Sequence, residues 1–89
     1  MIQQAITISN KLGLHARASA KLTKLAGSFP CEVCVSRGSR RVNAKSIMGV
    51  MMLAAGIGTE ITLETSGERE QEAMQALVDL INDKFGEGE

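Results

Sequence analysis

The only histidine of the chain, His15, lies two residues before Arg17 at a predicted helix start. A neutral imidazole nitrogen is a competent nucleophile near pH 7, and a phosphoramidate formed on it is labile enough to be passed on. The first backbone N–H groups of such a helix, those of Ala16 and Arg17, are unpaired and would hold an anion attached to His15. The Arg17 guanidinium also suits phosphate oxygens. These residues therefore predict a site that carries a phosphoryl group.

Two lysines, Lys21 and Lys24, extend this positive field along the same predicted helix. The chain has no G-x-x-x-x-G-K-[ST] loop, and Gly56-Ile-Gly58 is a lone G-x-G, so nucleotide binding is unsupported. No acid close to His15 in sequence completes a catalytic triad or a metal site. We therefore expect no metal and no cofactor, and no means of taking a phosphoryl group from ATP.

Ser46 is the second candidate, because it precedes an apolar segment that reads as a short helix over residues 46–55. As an N-cap its hydroxyl would satisfy first-turn donors, and a phosphate there would be favoured by the helix dipole. The helix has no polar face, so part of it must be core. The rest, with Ile47, Met48 and Met51, is predicted to be a docking patch rich in adaptable methionine.

Cys31 and Cys34 form a C-x-x-C pair within a segment that reads as a strand. Side chains three apart in a strand point to opposite faces, so the two sulfurs cannot face each other. A zinc site needs four ligands, whereas this chain offers two cysteines and one histidine. We therefore expect two half-buried thiols rather than a redox or metal site.

The elements that position these residues follow from hydrophobic periodicity. Alternating apolar residues predict strands, and apolar residues at helical spacing followed by Gly27 predict the helix after His15. The last helix is expected to include Lys84 and Phe85. The predicted segments are strands over 2–8, 31–37, 40–44 and 60–65, and helices over 15–27, 46–55 and about 68–85. Their order, β-α-β-β-α-β-α, predicts an α+β fold with a four-stranded antiparallel sheet and helices on one face.

Composition narrows the class of protein. The 89 residues allow one domain, 1–89, and two aromatic residues are too few for a protein that stacks single-stranded nucleic acid. The start carries no basic segment followed by an apolar stretch, and the longest near-apolar run, 47–57, is too short to span a bilayer. We expect a soluble cytoplasmic protein.

The formal net charge of zero hides a strong asymmetry. Residues 1–45 hold eight basic residues against Glu32, a net +7, and residues 46–89 have a net −7. This places the histidine in the basic half, which suits acidic protein partners. Nucleic-acid binding by the basic half is the weakest alternative, since no groove-reading motif accompanies the charge.

Two segments carry a resemblance to a known family. The residues Asn10-Lys-Leu-Gly-Leu-His-Ala-Arg17, and Val42-Asn-Ala-Lys-Ser-Ile-Met-Gly-Val-Met-Met-Leu53 about thirty residues later, resemble the HPr family. These are phosphocarriers of the bacterial phosphoenolpyruvate-dependent sugar phosphotransferase system. The resemblance runs over nearly the whole chain and implies an open-faced β-sandwich of four antiparallel strands with three helices on one face.

The resemblance also implies roles and partners. His15, through its Nδ1, would accept a phosphoryl group from phosphorylated enzyme I and donate it to a histidine on a sugar-specific IIA component. Arg17 would stabilise the group, and Ser46 matches the position phosphorylated by HPr kinase/phosphorylase, a modification that hinders enzyme I docking. The protein would act as a monomeric stoichiometric carrier and not as an enzyme.

One residue departs from the pattern, since the family commonly has His-Ala-Arg-Pro and this chain has Ala18. Alanine is a good helix former, so we expect the helix to survive with a somewhat looser start. Two alternatives stay open: the paralogous carrier of the nitrogen-related phosphorelay, and an adaptor controlled mainly through Ser46. The resemblance further implies that His15, Arg17, Lys21, Lys24 and Lys45 share a docking face with the Met-rich helix, and that the acidic last helix and fourth strand lie away from it.

Overall fold

The computed structural model describes residues 1–88, and Glu89, one of the acids counted above, lies outside them. The strands are β1 (Ile2–Thr7), β2 (Glu32–Arg37), β3 (Arg40–Asn43) and β4 (Glu60–Ser66), and the helices are α1 (Ala16–Gly27), α2 (Ile47–Met52) and α3 (Glu70–Asn82). The predicted order is confirmed, with strand ends that differ by one residue from those expected.

The four strands form one antiparallel sheet in the order β1-β4-β2-β3. Only β2 and β3 are neighbours in both sequence and space, joined by a tight turn at Gly38 with a φ of +58°. Alternation along β4 places Ile61, Leu63 and Thr65 inside, while Glu64 lies on the outer face. The period-2 pattern therefore gives β4 one buried face and one more exposed face.

The helices cover the inner face of the sheet and bury their apolar stripes against it. Ala18 and Leu22 of α1 meet Leu77 and Ile81 of α3 in one continuous core with the sheet. Burying each of the larger aliphatic side chains stabilises the fold by about 1.5–3 kcal/mol. The open-faced arrangement predicted from sequence, with three helices on a four-stranded sheet, is confirmed.

Two helix ends differ from the prediction. Helix α2 was expected to reach Ala55 but ends at Met52, because Ala54 adopts a left-handed φ of 51°. Helix α3 was expected to continue through Phe85 but ends at Asn82. Apolar spacing placed Phe85 correctly in the core, where it is 1% exposed, but a left-handed turn brings it there instead of a further helical turn.

Candidate functional site

His15 is the N-cap residue of α1, with extended backbone angles that lead into the helix. Its carbonyl accepts the amide of Ser19 at 2.8 Å, and the preceding Leu14 amide donates to Ala55 at 2.9 Å. The imidazole does not cap the helix and is 28% exposed. The backbone is therefore fixed on both sides of His15, while its ring is left to project from the helix start.

Gly13 allows the chain to pass close to the backbone of Ala55 just before it reaches His15. It has a φ of +64°, and a Cβ added there would lie 2.4 Å from the Ala55 carbonyl oxygen. Only glycine combines this left-handed backbone with so close a neighbour. The turn that precedes His15 is thus specified by one residue.

The start of α1 has the free backbone amides that the predicted anion site requires. The amides of Ala16 and Arg17 precede the first intrahelical bond, which Ser19 donates, so they have no partner within the helix. The Arg17 side chain is exposed and lines an open cleft of about 680 Å³. Ala18, the departure from the family pattern, is fully buried and keeps the first turn helical. A phosphoryl group on His15 would therefore have amides and a guanidinium within the same cleft.

The lining of this cleft includes one acid that the sequence did not suggest. It is formed by Lys11, Leu12, His15, Ala16, Arg17, Lys21, Gly86 and Glu87. The Glu87 Oε2 lies 2.5 Å from the His15 Nε2, and the Glu87 Oε1 accepts the Asn10 side-chain amide at 3.0 Å. Hydrogen bonds from Asn10 and His15 hold the pKa of the Glu87 carboxyl below its usual range. An ionised carboxylate therefore faces the histidine.

The turn after α3 places the Glu87 carboxylate next to His15. Lys84 and Phe85 both have a φ of 55°, followed by Gly86 at 75°, so the chain reverses towards α1. The Phe85 ring is buried, and the Phe85 carbonyl accepts the Lys21 ammonium at 2.5 Å. Gly86 is a typical turn residue, but Lys84 and Phe85 give no local signal for the turn, because lysine and phenylalanine rarely adopt left-handed angles.

The contact with Glu87 decides which ring nitrogen is free. A carboxylate only accepts, so the His15 Nε2 must carry a proton to bond it. In the neutral ring the lone pair is then on Nδ1. The arrangement can therefore present Nδ1 as a nucleophile while Nε2 stays protonated.

The other basic candidates are spread more widely than expected. Lys21 and Lys24 line a groove between α1 and Leu80 of α3. The Lys45 ammonium donates to the Phe29 carbonyl at 2.9 Å and is only partly exposed. Lys45 therefore sits near the last turn of α1, remote from His15 along the helix, and its charge is partly used within the fold.

Ser46 caps α2, as expected. Its Oγ accepts the Gly49 amide at 3.2 Å, and the residue is exposed. The helix that follows exposes four apolar side chains, with Met48 67% exposed. These are Ile47, Met48, Met51 and Met52. We call this set the α2 apolar patch.

The carboxyl end of α2 is capped by two arginines of the β2–β3 hairpin. Arg37 donates to the carbonyls of Leu53 and Ala54, and Arg40 donates to Met52. These carbonyls have no helical partners, and guanidinium donors satisfy them. The two arginines thus stabilise the carboxyl end of the helix that carries the α2 apolar patch.

Neither cysteine forms a disulfide: Cys31 is buried before β2 and Cys34 is partly buried within it. Within residues 1–88 there is no cluster of three or more His, Cys, Asp or Glu able to hold a metal ion. No helix in this described part is long and apolar enough to cross a membrane.

Comparison with known proteins shows which proteins the chain resembles. The family described as "PTS HPr component phosphorylation site" matches residues 2–83. A phosphocarrier protein HPr from Cupriavidus necator is 68% identical over 89 residues, the full length of both chains. A phosphocarrier protein NPr from Shewanella violacea is 41% identical and covers 97% of this chain and 94% of its own.

A solved structure agrees in shape. The crystal structure of HPr-C-His from Thermoanaerobacter tengcongensis superimposes with a TM-score of 0.95 at 46% identity. The match covers 98% of each chain. Sequence and fold thus resemble the same group of proteins over almost the whole length.

Proposed function

The chain belongs to the HPr family of phosphocarrier proteins, and on that premise we propose that His15 is the residue that carries the phosphoryl group. As a phosphocarrier of the phosphotransferase system it is an intermediate in phosphoryl transfer and not itself an enzyme. We propose phosphorylated enzyme I as the donor and a histidine of sugar-specific IIA components as the acceptor, both met in the cytoplasm.

The proposed step follows from the free lone pair on the His15 Nδ1. This nitrogen attacks phosphorus, an N–P bond forms, and the bond from phosphorus to the donor's leaving atom breaks, with its electron pair going to the donor. The ring becomes a cation because the proton remains on Nε2, and the Glu87 carboxylate lies 2.5 Å away to balance that charge. Donation to the acceptor reverses these changes and restores the neutral ring.

The observation that carries the proposal is the position of His15 at the start of α1, where the first backbone amides have no partner within the helix. The transferred group would bear negative oxygens, and the Ala16 and Arg17 amides together with the Arg17 guanidinium lie in the same cleft. Removing the guanidinium should slow transfer without removing the nucleophile.

The test is phosphorylation with enzyme I and phosphoenolpyruvate. Wild-type protein should gain an acid-labile, alkali-stable phosphoryl group, and His15→Ala should gain none. Gln71→Ala, on the exposed side of α3, serves as the control and should be labelled fully. Full labelling of folded His15→Ala would contradict the proposal.

We further propose that partners dock on the α2 apolar patch and the basic residues beside His15. Exposed methionines adapt to different partner surfaces, and lysines at a rim steer acidic partners. Lys45 was also predicted to contribute, but its bond to Phe29 favours a smaller role.

Ser46 is the proposed regulatory site, as a substrate of HPr kinase/phosphorylase. Its hydroxyl is exposed at the border of the α2 apolar patch, so a phosphate there would place negative charge on the docking surface. We expect Ser46→Asp to slow phosphorylation by enzyme I and Ser46→Ala to leave the rate near wild type. The alternative is an adaptor whose regulatory function depends on Ser46 and not on phosphoryl transfer. That alternative is favoured if the regulatory function is intact in His15→Ala and lost in Ser46→Asp.

The nitrogen-related relay is the second candidate, supported by the 41% identity with NPr. The higher identity with HPr relatives favours the sugar-type carrier. Parallel labelling with the first enzymes of the two relays separates them, since the true donor should transfer much faster.

A further inference from the structure

Asn10 is a buried polar residue that joins two segments far apart in sequence. It is fully buried, and its Nδ2 donates to the Gly13 carbonyl at 2.8 Å and to the Glu87 Oε1 at 3.0 Å. Gly13 leads into His15, and Glu87 contacts the His15 ring. The side-chain amide of Asn10 therefore connects two turns by hydrogen bonds: the turn before His15 and the turn that carries Glu87.

The orientation of this amide is fixed by its neighbours. Both partners are acceptors, so the nitrogen and not the oxygen must face them. The Asn10 Oδ1 is buried without a partner among residues 1–88. Leaving a buried oxygen unpaired costs free energy, so the two bonds made by Nδ2 are what the residue contributes.

Other contacts hold the carboxyl-terminal turn, but none of them touches the carboxylate. Phe85 anchors the turn through its buried ring, and Lys21 binds the Phe85 backbone carbonyl. The described contacts of the Glu87 carboxylate are the hydrogen bonds to Asn10 and His15. With one oxygen held by Asn10, the other is directed at the ring.

We propose that Asn10 is a positioning residue for phosphoryl transfer, holding the Glu87 carboxylate against the His15 Nε2. This keeps the proton on Nε2 and the lone pair on Nδ1, where the proposed function needs it. The inference rests on that proposed function for its consequence, while the positioning itself is a property of the free protein. Asn10 does not touch the reacting atoms and acts only through Glu87.

The first test is an NMR measurement that needs no partner protein. In ¹⁵N-labelled wild type the His15 Nε2 proton should give a resonance protected from exchange with water, because it is held in a short hydrogen bond. Asn10→Asp has nearly the same shape but replaces the donor by an acceptor, so it should repel Glu87 and abolish the resonance. Asn10→Ser, too short to reach Glu87 and uncharged, should have the same effect if the aspartate variant does not fold.

The second test is a double-mutant cycle on transfer from phosphorylated enzyme I. Asn10→Ser should slow transfer by about tenfold in the wild-type background. In the Glu87→Gln background the same substitution should add little, since the carboxylate it holds is already gone. A merely structural role for Asn10 would give equal slowing in both backgrounds.

The outcomes separate the two proposals. A protected Nε2 resonance that survives in both folded Asn10 variants overturns the positioning role, even where His15 is labelled normally. Equal slowing in the two backgrounds also overturns it. Labelling of His15→Ala would instead overturn the proposed function, with the NMR result for Asn10 standing unaffected.

Discussion

The lowered pKa of the Glu87 carboxyl should make the stability of the fold depend on pH. Hydrogen bonds from Asn10 and His15 lower its pKa in the folded protein relative to the unfolded chain, where the value is about 4.3. A lowered folded pKa gives stability that is fully present above the unfolded value and is lost as pH falls through the folded value. We expect Glu87→Gln to be less stable than wild type at neutral pH, with a difference that shrinks as the pH falls below the unfolded pKa and through the lower folded pKa. Urea unfolding at a series of pH values measures it.

Glu32→Gln is the matched control for this experiment. Glu32 is an exposed carboxylate on β2, so the same change there should alter stability little at any pH. A Glu87→Gln difference that stays constant down to about pH 2 would contradict the assignment, because it could not come from ionisation.

At the scale of single residues, the sequence predicted only those members of the site that are close to His15 in the chain. His15 and Arg17 are two residues apart, so helix-start chemistry places them together without knowledge of the fold. Glu87 is 72 residues from His15 and reaches it through left-handed angles at Lys84 and Phe85. Neither the contact with His15 nor the left-handed angles at Lys84 and Phe85 could be predicted from the local sequence.

At the scale of elements, the turn before α1 depends on Gly13. An alanine there would carry a Cβ 2.4 Å from the Ala55 oxygen, besides adopting an unfavourable left-handed φ. We expect Gly13→Ala to lower the free energy of unfolding by roughly 2–4 kcal/mol and to slow phosphoryl acceptance, since the loop that holds His15 must shift. Denaturant unfolding and the labelling rate measure the two effects.

Gly38→Ala is the control that measures the cost of the left-handed φ alone, without a steric clash. Gly38 has a φ of +58° in the β2–β3 turn, but no atom lies within 4 Å of an added Cβ. We expect a cost of about 1–2 kcal/mol with no change in labelling rate. If the two alanine variants lost equal stability, the close approach to Ala55 would have no energetic importance.

The order of the elements followed from periodicity, but two helix ends did not. Hydrophobic spacing identifies the faces of α2 and α3 because burial sets it. It does not identify where α2 ends, since that end is capped by Arg37 and Arg40 from a hairpin formed earlier in the chain. Caps supplied by distant segments are a tertiary property.

At the scale of the molecule, the charged halves do not map simply onto two faces. Arg41 pairs with Glu64 on the outer face of the sheet, and Glu87 of the acidic half lies at His15. The expectation that the acidic last helix and fourth strand lie away from the site did not include Glu87, which follows α3 and belongs to neither element. The basic charge nearest the site comes from Lys11, Arg17 and Lys21, with Lys24 one turn further along α1.

This distribution predicts a local electrostatic effect on docking. Lys24→Gln and Ala5→Glu each lower the net charge by one, but Lys24 lies on α1, whereas Ala5 is exposed on the outer face of the sheet. We expect Lys24→Gln to slow association with enzyme I several-fold at low salt and Ala5→Glu to change it little, because steering is strongest near the docking surface. The difference should shrink at about 1 M salt, where the Debye length is about 3 Å. Equal slowing by both variants in stopped-flow measurements would mean that net charge, and not its placement on the helix face, governs the encounter.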